Sequence, residues 1–328
     1  MDYLIAAAGL VILLVAGDLL VRGAVNLALR LGIPALIVSL TVVAFGTSAP
    51  ELVIAVGSVL DGAPGLALGN VVGSNTANVL LVLGIPALMT GLATGAHDTR
   101  KSYWIMLIAS VLFIILAYIR PLTRLDGLIL LGVFAIILGE QIMSALKHRR
   151  AMKNAAAAAA AAAEDGAEEE APEGADPNLA GWKVGLFLVL GLAGLPFGAQ
   201  LLVDSSINIA TRWGVSETVI GLTLVAVGTS LPELATTVAA ALRRQADVAL
   251  GNVIGSNLFN LLVIIGVATM FGTIPVDPSF VRFDLWVMLG AGILMAPFVI
   301  WRLDMGRITG AVLTALYAVY VVMILVMN

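Results

Sequence analysis

The sequence contains no cysteine, which excludes disulfide bonds and thiolate metal sites. Histidine is almost as scarce: His97 and His148 are the only two, and both stand beside charged residues in segments that we expect to be loops. Charged residues are 12% of the 328, about half the share found in a soluble domain, whereas apolar residues are 60%. This composition predicts a polytopic protein of the lipid bilayer with no nucleic-acid partner.

Ten apolar runs are each long enough to cross about 30 Å of hydrocarbon as a helix that rises about 1.5 Å per residue. The first run begins almost at the amino terminus, without a basic leader or a small-residue cleavage site, so we expect a retained span. We therefore predict an all-α fold of ten transmembrane helices. The runs form two sets of five, namely 3–27, 34–60, 66–92, 103–119 and 125–146, then 181–208, 216–242, 247–272, 283–301 and 308–327.

A polar segment separates the two sets and predicts three parts: a first five-helix half (1–146), a linker (147–180) and a second half (181–328). Nine consecutive alanines, Ala155–Ala163, are compatible with a helix. The acidic stretch that follows has too little apolar surface to repay its ordering entropy, so we expect a cytoplasmic linker. Calcium sensing by its seven acids is an alternative, although the spaced ligand positions of a calcium loop are missing.

The two halves repeat one another. With an offset of 182 residues and no gap, "GTSAPELVIAVGSVLDGAPGLALGNVVGSNTANVLLVLG" (46–84) aligns with "GTSLPELATTVAAALRRQADVALGNVIGSNLFNLLVIIG" (228–266), and 19 of 39 positions are identical. Five spans per copy is an odd number, so the second copy must enter the membrane from the opposite side. Inverted repeats with broken helices are typical of secondary transporters, whose substrate binds between the copies.

The basic residues predict the orientation of these spans. With the amino terminus outside, twelve Lys and Arg residues lie on the cytoplasmic side and four lie outside, while Arg22 lies inside the first span. Cytoplasmic loops of membrane proteins are enriched in these residues. We therefore expect both termini outside and the linker in the cytoplasm.

Each copy places a helix breaker beside a carboxylate in an apolar run. Pro50 has no N–H to pair with the carbonyl of Gly46, and Pro232 stands in the same relation to Gly228. A carbonyl freed at membrane depth needs another partner, which a bound cation can supply. An intramembrane acid such as Glu51 is costly and usually marks an ion path, although a neutral structural carboxylate is the alternative.

Hydroxyl, amide and carboxylate oxygens gather around each breaker at spacings of three or four residues, which place them on one helical face. Oxygens without imidazole or thiolate suit Ca²⁺, which takes about six to eight oxygen ligands, and Na⁺ accepts similar ligands. Hydrogen bonding between helices is the alternative for the Ser and Asn residues. The residues are Thr47, Ser48, Glu51, Ser74 and Asn78 in the first half, and Thr229, Ser230, Glu233, Ser256 and Asn260 in the second.

The paired "GTSxPE" and "ALGNVxGSNxxN" segments resemble the two alpha repeats of the sodium/calcium exchanger family, in the cation/calcium antiporter superfamily, and the resemblance covers both halves. It implies that Glu51 and Glu233 are the central calcium ligands. It also implies that Ala44 and Ala226 contribute carbonyls. The remaining sodium and calcium ligands implied are Thr47, Ser48, Ser74, Asn78, Thr229, Ser230, Ser256 and Asn260.

The resemblance implies a prokaryotic-type antiporter that exchanges Na⁺ for Ca²⁺ by alternating access in an inner membrane. Such a protein is not an enzyme, its ions are substrates rather than cofactors, and no protein partner is evident. The position of Asn260 is an aspartate in potassium-dependent relatives, which favours a potassium-independent exchanger here. Two central acids balance one Ca²⁺, so three Na⁺ in its place would leave a positive charge and make exchange electrogenic.

Three other functions are weighed against this one. Proton/calcium antiporters of the same superfamily typically carry a "GNA" segment where this chain has "GTS". A passive channel is disfavoured by inverted repeats with broken helices, which favour alternating access. An intramembrane hydrolase would need a base beside its serine, and the spans offer none near Ser48 or Ser230.

Overall fold

The computed structural model of the chain describes residues 1–96, 99–119, 121–162, 176, 179–214 and 226–327. Within these ranges the regular structure is helical, apart from two isolated β-bridges. A helix pairs its own N–H and C=O groups, so apolar helices can cross hydrocarbon without leaving backbone groups unpaired. The prediction of an all-α fold is confirmed.

The helices follow the predicted spans closely. The first half contains α1 (Asp2–Leu31), α2 (Ala35–Thr47), α3 (Ala49–Leu60), α4 (Pro64–Thr90), α5 (Arg100–Ile119) and α6 (Arg124–Ala162). The second half contains α7 (Gly181–Arg212), α8 (Ala226–Thr229), α9 (Leu231–Leu242), α10 (Ala246–Phe271), α11 (Pro278–Arg282), α12 (Asp284–Leu294), α13 (Ala296–Ile300) and α14 (Arg307–Met327).

Among the described residues, eight helical segments are long and apolar enough to cross a membrane, and there are nine if the bent pair of α2 and α3 counts as one span. The predicted seventh span, 216–242, begins in residues 215–225, which lie outside the described part of the chain, and its described part is α8 and α9. The chain is thus a multi-pass membrane protein, and the count of ten spans stays a prediction.

Helix α6 extends well beyond the predicted end of its span at residue 146 and runs into the alanine tract as far as Ala162. Alanine has the highest helix propensity of all residues, which explains this extension. Residues 163–175 and 177–178 lie outside the described ranges. The division into two halves and a linker over 147–180 stays a prediction.

Helices α4 and α10 form the centre of the bundle. In both, 83% of the most apolar stretch is buried, against 44% or less in the other spanning helices. Helix α1 packs along α7 and also approaches α9, where a side chain at Gly17 would meet the carbonyl of Ala235 at 2.8 Å. The candidate ligands of α4 and α10 therefore lie where neighbouring helices shield them from lipid.

Each half contacts the other through one β-bridge and one close helix crossing of the same kind. The segment after α4 forms a bridge between Leu92 and Met305, and its counterpart 182 residues later, at Ile274, forms a bridge with Leu122. Glycines allow two matching close crossings: α4 meets α14 at Gly84 and Gly310, and α10 meets α6 at Gly266 and Gly127. These matching contacts hold α4 of the first half against α14 of the second, and α10 of the second half against α6 of the first.

Candidate cation site

Both breaker motifs interrupt their helices at a serine. Ser48, with φ −89° and ψ 7°, separates α2 from α3, and the two helices meet at a bend of 44°. Ser230, with φ −88° and ψ 4°, stands in the same place before α9. Pro50 and Pro232 follow in the first turn, where a missing N–H leaves no hydrogen bond broken. The predicted break is present, two residues before each proline.

This geometry places Glu51 and Glu233 in the first turns of α3 and α9. Helix amino termini carry partial positive charge, which favours a carboxylate there. Both side chains are fully buried, at 0% exposure, and Ser48, three residues before Glu51, donates a hydrogen bond to Glu233 in the other half. The two carboxylates, one from each half, therefore face a common buried region.

Most of the carboxylate oxygens have no hydrogen-bond partner within the described ranges. Oε1 of Glu233 accepts a hydrogen bond of 2.9 Å from Oγ of Ser48. Its Oε2 and both side-chain oxygens of Glu51 accept none. An ionised carboxylate without partners in a buried site is strongly disfavoured unless a counter-charge compensates it. A bound cation would supply that charge.

Helices from opposite halves also meet at Thr47. Its Oγ1 lies 3.3 Å from Oδ1 of Asn252, 3.5 Å from Oγ of Ser256 and 3.3 Å from the carbonyl oxygen of Ala44. Thr47 and Ser256 are both buried. The contacts of Thr47 and Ser48 thus join predicted ligands of α2 to those of α9 and α10.

The asparagines of α4 and α10 fall into two groups. Asn75 and Asn257 each donate to the backbone carbonyl of the other, at 3.3 and 3.4 Å, so both side chains form hydrogen bonds between helices, although Oδ1 of Asn75 has no partner among the described residues. Nδ2 of Asn78 donates to Oδ1 of Asn257 at 3.0 Å, which leaves Oδ1 of Asn78 without a partner. Both side-chain amide atoms of Asn260 are buried, and within the described ranges neither has a hydrogen-bond partner. Oδ1 of Asn78 and of Asn260 is therefore available to a cation.

A wider helical turn surrounds each of these asparagines. Residues Asn78–Val82 and Phe259–Ile264 form π-helical turns inside α4 and α10. Such turns are rare and frequently mark functional sites, because the extra residue redirects side chains and carbonyls. No sequence pattern predicted them.

The remaining predicted ligands differ in how deeply they are buried and in whether they form hydrogen bonds. The hydroxyl oxygens of Ser74 and Ser230 are buried and form no hydrogen bond with another described residue. Ala44 is buried in α2, whereas Thr229 is partly exposed at the end of α8, which Ala226 begins. No hydrogen bond between described residues joins Glu51 to the rest of the set.

Sequence reasoning did not include Asn252 or Thr237 among the site residues. Nδ2 of Asn252 donates to the carbonyl of Glu233 at 3.3 Å and to Oγ1 of Thr237 at 3.2 Å. A signal existed for Asn252, because it belongs to the duplicated "ALGNV" segment, where its counterpart is Asn70. Thr237 lies one turn after Glu233, but its counterpart is Ala55, so duplication gave no signal.

The chemistry of the assembled side chains is that of hard oxygen ligands, which suits Ca²⁺ or Na⁺. Across the described parts of the chain, no group of three or more His, Cys, Asp or Glu side chains converges. The charge that the site offers to a cation therefore comes from Glu51 and Glu233.

Comparison with known proteins agrees with this chemistry. The model of the sodium/calcium exchanger protein family matches residues 1–143 and 183–326. The sodium/calcium exchanger MaX1 of Methanosarcina acetivorans is 35% identical over 349 aligned positions, which cover 98% of each chain. The inner membrane protein YrbG of Escherichia coli is 33% identical, with 96% of this chain and 94% of YrbG covered.

A solved structure extends the likeness to three dimensions. The sodium-calcium exchanger NCX_Mj, in crystals soaked without Na⁺ and Ca²⁺, superposes with a TM-score of 0.80 at 28% identity, and the match covers 98% of both chains. The fold, the oxygen-lined site and the family match converge on one conclusion. The chain belongs to the sodium/calcium exchanger family of cation antiporters, which transport ions as substrates and are not enzymes.

Proposed function

We propose that this chain exchanges Na⁺ for Ca²⁺ by alternating access, at one site built from both halves. The observation that carries this proposal is the pair of fully buried acids, Glu51 and Glu233, because three of their four carboxylate oxygens have no hydrogen-bond partner among the described residues. The other proposed ligands are the side-chain oxygens of Thr47, Ser48, Ser74, Asn78, Thr229, Ser230, Ser256 and Asn260 and the carbonyls of Ala44 and Ala226.

The charge of the site supports electrogenic exchange without potassium. Two carboxylates balance one Ca²⁺, whereas three Na⁺ bound in its place leave one positive charge in excess. Asn260 has an uncharged amide, so it adds no third acid that would favour a further cation. We therefore propose a stoichiometry of three Na⁺ for one Ca²⁺.

Sodium rather than protons is the proposed coupling ion. The relative MaX1 is named a sodium/calcium exchanger, and NCX_Mj is called a sodium-calcium exchanger. Hydroxyl and amide oxygens such as those of Ser74 and Asn260 coordinate Na⁺ but carry no proton that is exchanged near neutral pH. A proton/calcium antiporter is the alternative, because a buried glutamate could itself carry protons.

The proposed architecture is ten helices in two inverted repeats, with both termini outside and residues 147–180 in the cytoplasm. The excess of basic residues on that side supports it. The exchanged contacts Leu92 with Met305 and Leu122 with Ile274 are those expected of two related halves. The name of YrbG supports an inner membrane location.

Calcium uptake by liposomes that contain the purified protein tests the coupling. We expect uptake when Na⁺ is high inside and low outside, with acceleration by a membrane potential that compensates the moved charge and no need for K⁺. Uptake that follows a pH gradient and ignores Na⁺ would assign the protein to the proton-coupled group.

Single cysteines test the orientation, because the chain has none of its own. A maleimide that cannot cross membranes should label Asn328→Cys in intact cells or spheroplasts. The same reagent should label Glu164→Cys only after the membrane is opened. The reverse pattern would contradict the proposed orientation.

A further inference from the structure

The amide of Asn252 connects the two halves at the site. This side chain is fully buried, its Oδ1 lies 3.3 Å from Oγ1 of Thr47 in α2, and its Nδ2 donates to two groups in α9, the carbonyl of Glu233 and the hydroxyl of Thr237. We propose that Asn252 is a positioning residue, oriented by Thr237, that turns the hydroxyl of Thr47 toward a bound cation. The inference rests on the proposed exchange function and deepens it.

The neighbours of Asn252 determine which way its amide points. A backbone carbonyl such as that of Glu233 only accepts hydrogen bonds, so the NH₂ group must face it. The hydroxyl of Thr237 gives its own proton to the same carbonyl at 2.7 Å and therefore has lone pairs free to accept from Asn252. Oδ1 is then left facing α2, where Thr47 must be the donor.

This orientation makes Thr47 a better cation ligand. A hydroxyl has one proton and two lone pairs, and it binds a cation through a lone pair. Oγ1 of Thr47 lies 3.3 Å from both Oδ1 of Asn252 and the carbonyl of Ala44, and it can give its one proton to only one of them. When the proton goes to Oδ1 of Asn252, both lone pairs of Thr47 and the carbonyl of Ala44 remain available to the ion. A flipped amide would instead donate to Thr47 and occupy one of those lone pairs.

The first half lacks the same arrangement. The counterparts of Asn252 and Thr237 are Asn70 and Ala55, and alanine offers no hydroxyl to hold the amide. Among the residues that the structure describes, none is a hydrogen-bond partner of Nδ2 of Asn70. The positioning role therefore belongs to one half, and it depends on a residue that the duplication did not preserve.

Two adjacent threonines supply a matched test. Thr236 and Thr237 are both fully buried, and each donates its hydroxyl proton to a carbonyl one turn earlier, at 2.8 and 2.7 Å. Only Thr237 also accepts from Asn252. Replacing each by valine removes the same hydroxyl from the same helix at nearly the same volume.

We would measure equilibrium binding of radioactive calcium to the purified full chain, together with the KM and maximal rate of calcium exchange in liposomes. Loss of one neutral hydrogen bond corresponds to about fivefold in affinity. We expect Thr237→Val to raise the calcium Kd and KM about fivefold at a nearly unchanged maximal rate, Thr237→Ser to restore both, and Thr236→Val to leave both near wild type. Asn252→Ala should raise them further.

Equal Kd values for Thr237→Val and Thr236→Val would overturn the role of Asn252 while leaving the exchange function intact. A fall in thermal stability for Thr237→Val without a change in Kd would overturn it as well, because a merely structural residue behaves in that way. A wild-type protein that binds no calcium would overturn the exchange function and, with it, this inference. Calcium binding is read without any gradient, so proton coupling would leave the comparison of the two valine variants valid.

Discussion

The two copies of the repeated segment, 46–84 and 228–266, share half of their residues but differ in how their glutamates are held. The carboxylate of Glu233 accepts a hydrogen bond from Ser48, and its backbone carbonyl accepts hydrogen bonds from Asn252 and Thr237. Both carboxylate oxygens of Glu51 are buried, and neither has a hydrogen-bond partner in the described part of the chain. Duplication thus supplies matching ligands, but identical residues form different hydrogen bonds in the two halves: Ser48 and Asn252 have the same residue types as their counterparts Ser230 and Asn70, and only Thr237 differs from its counterpart, Ala55.

A second difference lies between α1 and α7, the first helices of the halves. Asp18 in α1 pairs with Arg22 at 3.1 Å and also with Arg243 after α9. The counterparts of Asp18 and Arg243 are Gln200 and Asp61, which cannot form an ion pair. The pair of Asp18 with Arg243 therefore ties α1 to the end of α9, and its counterpart positions form no such pair, although Arg212 of α7 pairs with Asp2 of α1 at 2.7 Å.

The largest loss of calcium exchange is expected from changes to the glutamate that both copies share, Glu51 and Glu233. Glu51→Gln and Glu233→Gln keep the volume but remove one charge. The attraction between a carboxylate and a divalent ion is several kcal/mol even at an effective dielectric constant of about 20, so each should reduce calcium exchange at least roughly 100-fold. Flux assays at matched protein levels measure this loss. The control is Glu140→Gln, which removes an acid of α6 that pairs with Lys101 of α5. Near-normal exchange in either variant would show that its glutamate is not a central ligand.

The two helix crossings should be equally sensitive to added volume. A side chain at Gly127 would meet the carbonyl of Gly266 at 2.7 Å, and one at Gly310 would meet that of Gly84 at 2.6 Å. Gly127→Ala and Gly310→Ala should each destabilise the protein by about 1–3 kcal/mol, as overpacking usually does. Thermal unfolding in detergent measures the change. Gly132→Ala, with open space around it, should not destabilise, and a difference between Gly127 and Gly310 would break the symmetry of the clasps.

The ion pair of α1 should give a smaller, one-sided effect. A double-mutant cycle of Asp18→Asn and Arg243→Gln should show a coupling free energy of about 1 kcal/mol in thermal unfolding, because the two residues are in contact. The matched cycle of Gln200→Ala and Asp61→Asn should show none. Additive effects at Asp18 and Arg243 would mean that the pair does not tie α1 to α9.

The smallest effect on calcium exchange is expected from changes in the segment that joins the two halves. Replacing residues 163–175 with a neutral Gly and Ser segment of equal length should leave calcium exchange close to wild type, because the halves already clasp one another through α4 and α10. Exchange rates measured over a range of cytoplasmic calcium test this expectation. A normally inserted variant that no longer responds to cytoplasmic calcium would support regulation by the acids of this segment.

The sequence predicted the helices and the breaks because both depend on neighbouring residues and on composition. It also singled out Glu51 and Glu233, since duplication repeats their motif. It could not predict that Ser48 would donate to Glu233, or that Arg243 would reach Asp18, because these partners are 185 and 225 residues apart and meet only after the helices pack.

The role of Asn252 was missed for a related reason. The orientation of an amide depends on which groups surround it, and those groups come from α2 and α9. The position of the break was not predicted either. The helix is interrupted at Ser48, two residues before Pro50, because proline fits without strain in the first turn of α3.

Calcium stoichiometry tests most directly the claim that both halves build one site. Equilibrium dialysis of the purified wild-type chain with radioactive calcium, beside Glu51→Gln and Glu233→Gln, counts the bound ions. We predict one Ca²⁺ per chain at saturation for the wild type and loss of that ion in both variants, because each glutamate supplies half of the charge that holds it. Two ions per chain in the wild type, with one retained in each variant, would contradict the claim and show two independent sites.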